Sequence, residues 1–110
     1  MRRAILIAVV LSFFVNSGKA EAQSSELVLS AAKLLDACTR ADYHWIAFCN
    51  GYLQAAFDAT GGSGICPPRG ATRNDFFDVV IPKLKQSPDL QKLDSFLVVT
   101  ALLRQAYPCN

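Results

Sequence analysis

Between residues 24 and 107 the apolar positions recur every three or four residues, and nowhere do they alternate as in a half-buried strand. Leu27, Ala31, Leu34, Leu35 and Cys38 fall on one side of a cylinder. Glu26, Lys33 and Asp36 occupy the rest, so a first helix is predicted over 24–38. After the short connection TRADYH comes a second helix, whose inward stripe is Trp45, Phe48, Cys49, Tyr52, Leu53 and Ala56. It should stop in DATGGSG, where Gly61 and Gly62 tolerate the backbone that ends a helix.

The run ICPPRGA reads as a rigid loop. Thr72, followed three residues on by Asp75, resembles a capping box and opens a third helix with Phe76, Phe77, Val80 and Leu84 inward. Pro82 removes a backbone donor and crowds the carbonyl of Asp78, so a kink or an early end is expected. QSPDLQ reads as the last turn, with Pro88 suited to the start of a helix, and the fourth helix reaches about Tyr107, with Leu93, Phe96, Leu97, Val99, Leu103 and Ala106 as its apolar face. Pro108 stops it. The fold class is therefore all-α, a compact bundle of about four helices.

The N-terminal stretch follows a different pattern. A basic start at Arg2 and Arg3, an apolar run over 4–15 broken only by Ser12, and small residues at Ala20 and Ala22 predict a cleavable secretory signal peptide over 1–22. The run is too short to span a bilayer, which takes about 20 residues, so no stable membrane anchoring is expected after cleavage. The mature domain would be 23–110, in the periplasm. Removing Arg2, Arg3, Lys19 and Glu21 from eleven basic and nine acidic residues leaves eight of each. The slight positive charge belongs to the leader, and no basic patch points to nucleic acid.

All four cysteines, Cys38, Cys49, Cys66 and Cys109, lie in the predicted mature part. An even count in an exported chain implies two disulfides. Four cysteines allow three pairings, and the helices choose among them. Short connections make neighbours antiparallel, which brings Cys38 to Cys49. The last helix then returns its end, with Cys109, to Cys66 ahead of the third helix.

Candidate chemistry is sparse. His44 is the lone histidine, five residues from Cys49, but a thiol–imidazole nucleophile needs a free thiol. The cysteine gaps of ten, sixteen and forty-two residues do not match the close pairs of zinc sites, and no haem or thioredoxin-like motif occurs. GGSG lacks the Lys-Ser/Thr of a phosphate loop. No enzymatic activity, metal or cofactor is predicted. Tyr43, Trp45, Phe57 and Tyr107 read as packing aromatics, with partner-facing roles as the alternative.

Three segments carry a resemblance: CNGYLQAAFDA at 49–59, CPPRGATRNDFFDVV at 66–80 and VVTALLRQAYPC at 98–109. They resemble the Rap/Tai family of type VI secretion amidase immunity proteins. The matching positions include Cys49, Gly51, Tyr52, Asp58, Cys66, Pro68, Gly70, Thr72, Pro108 and Cys109; Ala71, Pro82, Leu102 and Tyr107 depart from the family pattern. The resemblance implies a helical periplasmic protein, often a homodimer, that binds a secreted peptidoglycan amidase and blocks its cleft. Its shared residues read as fold-defining. Gly51 would permit close helix approach, and Asp58 and Thr72 sit near helix ends.

Contacts to such an effector fall outside the shared motif. Two polar segments beside rigid features are the candidates: the 60–69 loop and the 85–92 turn, with Ser87, Asp89 and Gln91 as its contacts. A second function class is an acid-stress chaperone of HdeA-like type, which would open as paired carboxylates are protonated. A third is a family member that binds another exported partner.

Overall fold

The structure is a computed structural model that describes residues 27–110. The expected leader over 1–22, and the start of the predicted first helix, lie outside the described residues.

Among the described residues five helices follow one another: α1 (Ala31–Cys38), α2 (Tyr43–Ala59), α3 (Arg73–Gln86), α4 (Pro88–Gln91) and α5 (Ser95–Ala106). Each long helix begins on a side chain suited to the task. Ser30 Oγ accepts from the Lys33 N–H, Asp42 accepts from His44, and Asp94 accepts from Phe96 and Leu97. At α3 the Asp75 carboxylate takes the Thr72 N–H at 2.7 Å, as the capping box predicts.

The core is one cluster drawn from every long helix. Leu34, Leu53, Ile65, Val80, Leu84, Val99 and Leu103 are all nearly inaccessible to solvent. Two disulfides close it. Cys38 at the end of α1 joins Cys49 in α2, and Cys66 joins Cys109, with Cα atoms 5.1 and 5.0 Å apart. This is the predicted pairing. The Cys66 N–H also donates to the Tyr107 carbonyl at 2.8 Å, so the last residues are held by a backbone bond as well.

Four expectations need correction. Among the described residues the predicted first helix is interrupted at 28–30, α1 beginning at Ala31, and Leu27, assigned to the inward stripe, is 87% exposed. The chain ahead of it pairs instead with the entry to α5: Ala31 N–H donates to Leu93 O and Ser95 N–H to Leu29 O. These same bonds split the predicted fourth helix, leaving the single-turn α4 apart from α5. They also set the rotation of α5. Ser95, Val98, Val99, Leu102 and Leu103 are buried, while Leu93, Phe96 and Leu97 are exposed. Two of the buried positions, Ser95 and Thr100, are polar while Phe96 and Leu97 face out, so the apolar pattern does not choose between these faces. Finally, of the kink or early end expected at Pro82, the early end does not occur, since α3 runs on to Gln86. Pro82 and Asp78 both lie on its exposed side, so the missing bond leaves a group that water can reach.

Candidate interaction surface

The two segments proposed from sequence are both tied to the helical core. In the 85–92 turn, Ser87 links α3 to α4 and Asp89 is exposed in the first turn of α4. The Gln91 Nε2 donates to the Leu84 carbonyl at 2.8 Å and braces the turn from inside. The 60–69 loop is anchored by buried Ile65 and by Arg104, whose Nε donates to Ser63 O at 3.2 Å. Gly64 has φ +73°, and an added Cβ would lie 3.3 Å from the Arg104 side chain, so this position combines a left-handed turn with close packing.

The shared motif residues divide cleanly. The Tyr52 hydroxyl is hydrogen-bonded to Ser95, which is 1% exposed, and so ties α2 to α5. Asp58 accepts from the Gln54 amide near the end of α2. Pro68 accepts from the Ala71 N–H in a turn that includes Gly70. Pro108 follows the end of α5. Gly51 is the exception. It is exposed in mid-helix, with nothing within 4 Å of an added Cβ, so the expected close helix approach is absent there.

The aromatics also separate. Phe57 packs on Phe76 at 5.3 Å between ring centres, and Phe76 meets Tyr107 at 6.1 Å. Burial, with Asp75 and Asp78 adding to it, raises the Tyr107 pKa above its ordinary value. Trp45 lies beneath the Arg40 guanidinium at 4.5 Å, and Arg40 also pairs with Asp36 at 2.8 Å. Tyr43, by contrast, is 78% exposed. Cys49 is bonded to Cys38 and His44 is exposed, so these two residues form no thiol–imidazole pair. Among the described residues no group of three acidic, histidine or cysteine side chains could hold a metal ion. No described helix is long and apolar enough to cross a membrane.

One feature the sequence reading missed is a furrow beside α2. Three neighbouring hollows of about 320, 450 and 500 Å³ lie along it, with Ile46, Asn50 and Asn74 common to the first two and Thr72 and Arg73 common to the last two. One wall is the α2 face Tyr43, Ile46, Ala47, Asn50, Gln54 and Phe57, spaced by helical turns. The other is the Pro67–Thr72 loop and the first turns of α3. Ile46, Phe77 and the Cys38–Cys49 bridge line one end. A cue was present in the sequence: Arg73 directly follows the helix-capping Thr72, a place that disfavours a cation.

Comparison with known families fits this architecture. A family model for Rap1a immunity proteins matches residues 30–109. The chain belongs to the Rap1a immunity protein family. The match takes in both disulfides, the α3 capping box and the Ser30–Asp94 bridge, so the Rap1a unit coincides with almost all of the described structure. Searches of curated proteins and of solved structures gave no match.

Proposed function

We propose that this Rap1a immunity protein acts in the periplasm, where it binds a peptidoglycan amidase effector delivered by type VI secretion and blocks the enzyme's cleft. The observation that carries the reading is the family match over residues 30–109. The architecture is consistent with it. A small helical core held by two disulfides presents turns of fixed shape, and an inhibitor with little to order on binding loses less entropy. The leader over 1–22 would deliver the chain to the compartment where both the disulfides and the amidase's substrate occur.

In this reading the protein works by occlusion and performs no chemistry of its own. Asp89 and Ser87 in the 85–92 turn meet the effector, and Gln91 keeps that turn in shape. The protein acts as a homodimer. The test is inhibition. Full chain, expressed with its own leader and purified with both disulfides formed, is titrated into an amidase effector from the same organism while muropeptide release is followed. Loss of hydrolysis at stoichiometric protein supports the reading. Unchanged hydrolysis at large excess refutes it.

A further inference from the structure

The furrow beside α2 has a chemical character of its own. Its length, from Tyr43 to Phe57, corresponds to about 21 Å of helix at 1.5 Å per residue. An extended chain of about six residues spans that distance. Two guanidiniums, Arg40 and Arg73, line it, and the carboxylates beside it are engaged, Asp36 on Arg40 and Asp75 on the Thr72 N–H and hydroxyl. Arg40 is already shared between Asp36 and the Trp45 ring, which leaves Arg73 as the guanidinium of the furrow without an ion partner among the described residues.

Arg73 is the more informative of the two. It is the first residue of α3, where the partial positive charge of the helix end opposes a cation, and it has no ion-pair partner among the described residues. Its neighbours in the furrow, Asn50 and Asn74, likewise make no side-chain hydrogen bond to any described residue. Each offers one amide donor pair and one acceptor, the complement of a peptide backbone. A cation at an electrostatically poor position, two unengaged carboxamides and an apolar end at Ile46 and Phe77 together describe a receptor rather than a packing defect.

We infer that this furrow binds an extended, acidic segment of a partner protein, with a carboxylate on Arg73 and backbone amides on Asn50 and Asn74. The inference rests on the reading of this chain as a partner-binding immunity protein. It adds a second contact surface, at the opposite end of α3 from the 85–92 turn, and names the chemistry of what it takes.

The test begins with a phage-displayed library of random short peptides selected on the full, disulfide-intact chain. The most enriched peptide is then resynthesised and titrated against wild type and variants. Arg73→Glu should fold well, because an acidic residue suits the first turn of a helix. Enrichment of Asp and Glu is expected, with affinity lowered about tenfold or more by Arg73→Glu, lowered by Asn50→Ala, and unchanged by Lys33→Glu on α1. Selection without acidic preference, or a peptide that binds Arg73→Glu as tightly as wild type, overturns the proposal. The amidase assay separates the two readings. If wild type and Arg73→Glu inhibit an amidase equally, the furrow proposal fails and the immunity reading stands. If acidic peptides bind through Arg73 while amidases are untouched, the furrow stands and the amidase reading fails.

Discussion

Gly51 sits in the middle of a seventeen-residue helix, on its exposed side, with open space where a Cβ would go. A glycine there weakens the helix, so Gly51→Ala is expected to raise stability by about 0.5–1 kcal/mol in urea denaturation. A loss of stability would instead mean that a second molecule covers this face in solution. Tyr107 makes a different prediction. Its pKa is raised in the folded state, chiefly by burial and further by Asp75 and Asp78. The folded protein therefore holds the phenolic proton more tightly than the unfolded chain does. That contribution is complete below the ordinary tyrosine pKa and is lost as pH rises through the higher folded value. Tyr107→Phe should flatten the alkaline decline in melting temperature without changing the profile between pH 6 and 8. Superimposable alkaline profiles would contradict it. The sequence placed Tyr107 and Phe57 among packing residues, which they are, but grouped Tyr43 with them. A terminal aromatic at a helix start has no periodic partner to reveal that it faces water.

At the scale of the element, caps were more legible than faces. Ser30, Asp42, Thr72 and Asp94 each occupy the position their chemistry suits, because a helix start is a local problem solved by adjacent residues. Of these only the Thr72–Asp75 pair stands out in the sequence, as a capping box. Asp94→Ala removes the acceptor for the Phe96 and Leu97 N–H groups and should cost about 1 kcal/mol, measured as a lower urea midpoint with an unchanged slope. The inward face of α5 was not legible. Its apolar residues surround the helix, and what selects Val98, Val99, Leu102 and Leu103 for the core is a pair of backbone bonds to Leu29 and Ala31, more than sixty residues earlier in the chain. The persistence of α3 past Pro82 has the same origin. Propensity is local, whereas the core contacts of Ile81 and Leu84 on either side of the proline come from the whole bundle.

For the whole molecule, topology followed from helix order and the cysteines, while the furrow did not. Antiparallel neighbours joined by short loops place the four thiols in two pairs, and the structure has those pairs. The furrow depends on how far the Pro67–Thr72 loop stands from α2, a distance no local pattern encodes. The bridges close segments of very different length, 11 and 43 residues. On the loop-entropy model they contribute about 3 and about 4 kcal/mol, so replacing Cys66 and Cys109 with alanine should destabilise more than replacing Cys38 and Cys49. Since a small domain has about 5–15 kcal/mol in total, either loss is large. Under the function proposed above, this stapled bundle is an inhibitor whose shape, rather than any chemistry, silences an amidase. The most direct measurement is muropeptide release by a peptidoglycan amidase effector titrated with the disulfide-intact chain, beside the same chain reduced and alkylated. Stoichiometric inhibition by the oxidised protein, with little from the reduced one, is the predicted result. Hydrolysis that continues unchanged in excess oxidised protein would contradict it.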